Sequence, residues 1–184
     1  IGVAMNDEII ERFIANDVPV VLFTDARSTL TYPIHQICVD HGAGAQMAAD
    51  YLLERGHRRL AYMGDMIPPD YSESLGRLKL DVFRQRLAEQ GVSLPDAYVA
   101  LAPQNMEEAR QQAHRLLDLP VPPTAIFASS DTQAIGVISA ARERGLSIPE
   151  DLAVLGFDDI TIAEFINLTT IRQELKESGR TAVR

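Results

Sequence analysis

The chain has 184 residues, and its 17 Lys and Arg against 26 Asp and Glu give a formal net charge of −9 at pH 7. An acidic chain repels the phosphate backbone of nucleic acids, and no segment concentrates Lys and Arg. We therefore do not expect this chain to bind nucleic acid. Its length is enough for one large domain or two small lobes, and 46% hydrophobic residues exclude a disordered chain.

Short apolar runs of β type alternate along the chain with longer stretches of helical period. The alternation occurs six or more times, and it is typical of a parallel sheet covered by helices. Strands are predicted at residues 1–5, 19–23, 36–39, 60–63, 124–128, 152–157 and 168–172. Helices are predicted at residues 7–16, 42–55, 78–90, 106–119, 132–144 and from 174 onward. The sequence therefore predicts an α/β fold.

The ends and the composition also bear on where the protein works. The chain opens at Ile1 in a strand-like run, so we expect a piece of a longer polypeptide. No apolar run is long enough to span a bilayer, and no signal peptide is recognisable, which favours a cytoplasmic protein with no membrane partner. The single Cys38 excludes an internal disulfide framework and a cysteine-based zinc site.

The familiar motifs of catalysis and cofactor binding are missing from the sequence. Gly42 and Gly44 do not complete a dinucleotide-binding fingerprint, because Met47 stands at the third glycine position. Neither a nucleophile elbow nor a phosphate-binding loop occurs. The four histidines lack the helical spacing of a zinc hydrolase. We therefore predict neither an enzyme nor a bound metal or cofactor.

Polar residues follow two of the predicted strands. Asp158 and Asp159 come after the strand at 152–157, where they could bind a ligand or cap the next turn. Ligand binding is the better interpretation for Asp158, and capping for Asp159. Ser130 and Asp131 follow the strand at 124–128 and also suit a helix N-terminus, which favours a structural role for Asp131 and leaves Ser130 open.

Several runs resemble the LacI/GalR family of bacterial transcriptional regulators. Tyr-Leu-Leu-Glu-Arg-Gly-His-Arg-Arg-Leu-Ala at 51–61 is one of them, and Ile-Pro-Glu-Asp-Leu-Ala-Val-Leu-Gly-Phe-Asp-Asp-Ile at 148–160 is another. Leu-Thr-Thr-Ile-Arg-Gln at 168–173 follows in the family's order. The resemblance covers essentially the whole chain.

The resemblance implies a periplasmic-binding-protein-like domain of type I, with two Rossmann-like lobes and a small effector in the cleft, most often a sugar. Residues 1–57 with 169–184 would form an incomplete N-terminal lobe, and residues 58–168 the C-terminal lobe. The family's DNA-binding headpiece is absent from this sequence. The implied partners are the effector, operator DNA through that missing headpiece, and a second copy in a homodimer.

The resemblance also assigns ligand contacts by position. Asp158 matches the family's ligand-binding aspartate, which accepts hydrogen bonds from sugar hydroxyls. Ser130 lies where relatives have a polar contact. The family's ligand-binding arginine falls on Lys79, a compact charge in place of a planar fork, and Arg77 is a possible substitute.

Two further departures concern the ring that stacks on the ligand and a proline-rich stretch. Residues 103–105 supply no aromatic side chain, so Phe127 or Tyr71 is the expected replacement. Residues 162–167 lack the proline-rich stretch usual before Leu-Thr-Thr.

The predicted function is the effector-binding and dimerisation domain of a LacI-type regulator that senses a small molecule, a sugar above all. The alternative is a sugar-binding protein of a transport system.

Overall fold

The computed structural model describes residues 7–24, 34–66 and 75–183. The helices are α1 Asp7–Ala15, α2 His41–Glu54, α3 Leu75–Glu89, α4 Met106–Leu117, α5 Asp131–Glu143, α6 Thr161–Phe165 and α7 Leu175–Ala182, with a 3₁₀ turn at Asp96–Tyr98. The strands are β1 Val21–Thr24, β2 His35–Cys38, β3 Leu60–Asp65, β4 Val99–Ala102, β5 Ala125–Ala128, β6 Ala153–Asp158 and β7 Thr169–Arg172. Within the described ranges, no helix is both long and apolar enough to cross a membrane.

The chain divides into two compact units. The first runs up to Asp40 and resumes at Glu174, and the second is His41–Gln173. In the first unit, β1 and β2 pair in parallel with Val21 opposite His35. Its helices are α1, in which Ile10 is buried, and α7.

The second unit contains a five-stranded parallel sheet in the order β4-β3-β5-β6-β7. From β3 the chain moves outward to β4, and it then returns past β3 to continue through β5, β6 and β7. The strand order therefore reverses between β3 and β5. In open α/β sheets, ligands bind outside the carboxyl ends of the strands at such a reversal.

Alternate side chains of the central strands enter two different cores, one on each face of the sheet. Leu60 and Tyr62 pack in the core that α2 and α3 cover, whereas Ala61 and Met63 pack in the core that α4 and α5 cover. Both faces are apolar, so the central strands lack the apolar and polar alternation of a half-exposed sheet. Helices α2 to α5 each contribute a stripe of apolar residues to one core.

Helices α4 and α5 pack closely because a glycine lies at their contact. A Cβ atom built on Gly136 would lie 2.5 Å from the Met106 carbonyl oxygen and 2.8 Å from the Ala109 Cβ. Both distances are shorter than real Cβ atoms tolerate. The absence of a side chain at Gly136 therefore sets the separation of the two helices.

The predicted α/β class with parallel sheets is confirmed, but the lobe boundaries at 57/58 and 168/169 differ from the observed division. Helix α2 packs with α3 on the five-stranded sheet, so it belongs to the second unit. Strand β7 belongs there too, because it pairs with β6 through Leu155 opposite Thr169. The predicted strand at residues 1–5 lies outside the described residues. Where the proline-rich stretch is missing, α6 leads through Asn167, whose φ is +54°, into β7.

Candidate ligand-binding site

Polar side chains gather at the carboxyl ends of four neighbouring strands of the second unit. Asp65 ends β3, Ser130 and Asp131 follow β5, and Asp158 ends β6. Gln173 follows β7 directly. Since parallel strands end at the same edge of a sheet, these residues lie along the edge that contains the reversal between β3 and β5.

Asp158 is half-buried at this edge, and its carboxylate is held by an amide. Its Oδ1 accepts a hydrogen bond of 2.5 Å from Nε2 of Gln173. Burial raises the pKa of Asp158 to about 6, and the Asp131 carboxylate adds to the rise while the Lys79 ammonium opposes it. The backbone φ of Asp158 is +114°, a conformation that L residues rarely adopt. Such strain is found most often at functional sites.

Lys79 enters the same region from α3 and is almost completely buried, with 4% of its surface exposed. Its Nζ donates a hydrogen bond of 2.7 Å to the carbonyl oxygen of Ser129. The ammonium also lies 4.1 Å from the centre of the Phe157 ring, within cation–π range. The positive charge at this position is therefore fixed in place by the strand ends.

Ser130 caps α5, since its Oγ accepts a hydrogen bond of 3.3 Å from the backbone N–H of Gln133. Asp131 is fully buried and joins neighbouring elements. Its Oδ2 accepts a hydrogen bond of 2.8 Å from the Ile160 N–H, and its Oδ1 accepts one of 2.5 Å from the Thr170 hydroxyl. Asp131 thus has the structural role that its position suggested.

Asp159 does not cap the following turn, which corrects the favoured interpretation. Its Oδ2 accepts a hydrogen bond of 2.5 Å from Nε of Arg172 in β7, and the two side chains form an ion pair. The N-cap position of α6 is Ile160, which has no side-chain cap. The two adjacent carboxylates therefore have different partners, an amide for Asp158 and a guanidinium for Asp159.

Gln133 is a buried residue of this edge that was not predicted from the sequence. Its side chain is fully buried, and its Nε2 lies 3.1 Å from the Gly64 carbonyl oxygen and 3.0 Å from that of Ala102. It therefore ties α5 to the ends of β3 and β4. The spacing of Ser130 and Gln133 matches a capping box, which was the available signal for Gln133.

The remaining predicted contacts have different outcomes. Phe127 is fully buried in the core and packs against the rings of Tyr62 and Phe83, so its ring faces that core. Arg77 is exposed on α3, with its Nε 3.5 Å from Asp81 Oδ2. Tyr71 lies outside the described residues.

Comparison with known proteins identifies the family of this chain. Residues 49–184 match the family described as the periplasmic binding protein-like domain. The chain belongs to this family. It is 35% identical over 167 residues to the HTH-type transcriptional repressor CytR of Escherichia coli (strain K12), which covers 90% of this chain and 47% of CytR. The chain therefore spans about half the length of this curated relative.

Solved structures of the family agree with the fold. A regulatory protein of the LacI family from Chloroflexus aggregans superimposes with a TM-score of 0.84 at 33% identity, over 99% of this chain and 64% of that one. A sugar-binding transcriptional regulator of the LacI family from Escherichia coli, complexed with phosphate, gives 0.82 at 25% identity, over 96% and 62%. The resemblance to LacI-type regulators is thus confirmed, and these relatives are regulators of transcription.

Proposed function

We propose that this chain is the effector-binding and dimerisation domain of a LacI-type transcriptional regulator, and that the effector is a small polyhydroxylated molecule, a sugar or a close relative of one. The observation that carries the proposal is the half-buried carboxylate of Asp158 at the carboxyl end of β6, the strand next to β5 where the strand order reverses. A carboxylate in a crevice of low dielectric accepts hydrogen bonds from hydroxyl groups strongly.

Asp158 and Lys79 have complementary roles in this proposal. Gln173 occupies one lone pair of Asp158 Oδ1, and the Oδ2 atom accepts a ligand hydroxyl. Lys79 supplies a fixed positive charge, and the Ser130 hydroxyl a further polar contact. A lysine here cannot make the paired hydrogen bonds of an arginine, so we expect this protein to prefer an effector with one compact acceptor near the charge.

The regulatory step follows from differential binding. A ligand that binds one arrangement of the protein more tightly than another shifts the population toward the first. In the complete protein, we propose that this shift acts through a homodimer on a DNA-binding headpiece and changes the affinity for operator DNA in the cytoplasm. The names of the relatives, repressors and regulators of transcription, support this function over a transport protein.

A thermal-shift screen tests the proposal. The chain is heated with members of a panel of sugars, sugar phosphates, nucleosides and purines, because a ligand that binds only the folded state raises the melting temperature. We expect at least one compound to stabilise the wild type and to lose its effect in Asp158→Ala. A stabilising compound that acts equally on Asp158→Ala would show that Asp158 does not bind it.

Asp118→Ala is the control for the loss of a carboxylate. Asp118 forms an ion pair of 2.8 Å with Arg144 after α4, away from the strand ends. This variant should keep the full thermal shift. A panel in which no compound stabilises the wild type would contradict a sugar or nucleoside effector.

A further inference from the structure

Gln173 is the one uncharged side chain that donates a hydrogen bond directly to Asp158 among the described residues. Asp158 is opposite Arg172 in the pairing of β6 with β7, so Gln173 stands one residue beyond the end of the paired strands. From there its Nε2 reaches Oδ1 of Asp158 at 2.5 Å. The bond therefore depends on the register of two strands that are joined through α6.

The charges around Asp158 are unbalanced. Lys79 on α3 favours the ionised carboxylate, whereas Asp131 on α5 and Asp65 on β3 disfavour it. Burial disfavours it as well. The adjacent Asp159 is paired with Arg172. One cation thus faces two carboxylates in a partly dehydrated place. Among the described residues, the amide of Gln173 is the other group that stabilises the negative charge.

We infer that Gln173 is a positioning residue that keeps the Asp158 carboxylate ionised and oriented, and that it thereby sets the pH range over which the site binds its effector. The effector part of this inference rests on the proposed function. A primary amide suits the role because it donates a hydrogen bond without titrating between pH 4 and 9. Gln173 is also the last residue of the second unit, since the chain passes to the first unit at Glu174.

The test compares Gln173→Met with Gln104→Met. Methionine keeps the unbranched length of glutamine and removes the donor. Gln104 is the matched control, because its Nε2 donates a hydrogen bond of 3.0 Å to another carboxylate of the same edge, Asp65. The measurement is the carbon-13 NMR titration of the Asp158 carboxyl group in the ligand-free chain, assigned with Asp158→Asn.

We expect Gln173→Met to move the titration midpoint of Asp158 upward by about one pH unit, since the ionised form loses a charge-assisted hydrogen bond. Gln104→Met should leave it within about 0.3 of a pH unit of the wild type. Gln173→Glu places a second acid beside Asp158 and should raise the titration midpoint of Asp158 as well. It replaces Gln173→Met in this test if the methionine variant does not fold. An unchanged midpoint in folded Gln173→Met or Gln173→Glu would overturn the inference.

A binding measurement separates this inference from the proposed function. A sugar that stabilises the wild type in the thermal-shift panel is titrated into Gln173→Met at pH 6.0 and pH 8.5. An upward shift of one pH unit predicts about a fivefold loss of affinity at pH 6.0 and less than a twofold loss at pH 8.5. Equal losses at both values would overturn the inference. If no sugar stabilises the wild type, the proposed function fails, and the carboxyl titration still decides the role of Gln173.

Discussion

Asp158 combines two features that cost stability. Its φ of +114° is unfavourable for a residue with a Cβ, and its carboxylate is partly removed from water beside Asp131. Asp131 is buried more deeply, but it accepts hydrogen bonds from Ile160 and Thr170 and holds neighbouring elements together. We interpret Asp131 as a residue selected for the fold and Asp158 as one selected for binding.

Asp158→Asn should stabilise the protein at neutral pH. The pKa of Asp158 is about 6 in the folded chain against an ordinary value of 3.8, so the wild type loses stability as the pH rises from about 4 through 6. Asparagine cannot ionise and tolerates positive φ. We expect Asp158→Asn to be about 1–3 kcal/mol more stable than the wild type at pH 7.5 and to differ little at pH 4. Urea unfolding at both values measures this, and an advantage equally large at pH 4 would contradict it.

The positions of the helices and strands of the second unit were largely predictable from the sequence. Which elements pack or pair with one another was not. Helical period and capping residues marked α2, α4 and α5, because local patterns determine where helices lie. The pairing of β7 with β6 depends on contacts between residues far apart in the sequence, and no local motif indicates it. Phe127 is a second example. The sequence pattern of an apolar ring near a strand end is the same whether the ring faces a core or a ligand-binding crevice. Gln173 had no signal beyond the family run that contains it.

The contact between α4 and α5 provides a prediction at the scale of elements. Gly136→Ala places a methyl group 2.5 Å from the Met106 carbonyl oxygen, so the helices must separate or distort. We expect a loss of about 1–3 kcal/mol in the free energy of unfolding, as for other overpacked cores. Thermal or urea unfolding measures the loss.

Gly179→Ala is the control for this substitution. Gly179 lies within α7, and a Cβ there would meet nothing within 4 Å. Alanine should therefore favour α7 by about 0.5–1 kcal/mol through its higher helix propensity. If both variants destabilised the chain equally, the close approach of α4 and α5 would not be the cause.

At the scale of the whole molecule, the chain passes between the two units twice, after Asp40 and after Gln173. Each passage lies beside a residue in contact with the candidate site. Gln173 donates to Asp158, and the His41 ring stacks on Phe157 with a centroid distance of 5.6 Å. Phe157 in turn contacts the Lys79 ammonium. Both passages therefore lie next to side chains that contact the candidate site.

The proposed regulatory step leads to a prediction for the full-length regulator. If the effector changes the affinity for operator DNA by some factor, operator DNA must change the affinity for the effector by the same factor. We expect a factor of about 5–150, the range of typical allosteric coupling. Fluorescence anisotropy with labelled operator, with and without saturating effector, measures one side, and calorimetry with and without operator measures the other. A compound that binds tightly and leaves operator affinity unchanged would contradict a regulatory role.

The most direct test of the candidate site compares two adjacent carboxylates. Isothermal titration calorimetry at pH 7.5 measures the affinity of a stabilising sugar for the wild type, Asp158→Asn and Asp159→Asn. Asp158 should be the ligand contact, whereas Asp159 is paired with Arg172. We expect Asp158→Asn to weaken binding by about 30-fold, the equivalent of a hydrogen bond to a charged group, and Asp159→Asn by less than about twofold. Wild-type affinity in Asp158→Asn, or an equal loss in both variants, would contradict the assignment of Asp158 as the effector-binding carboxylate.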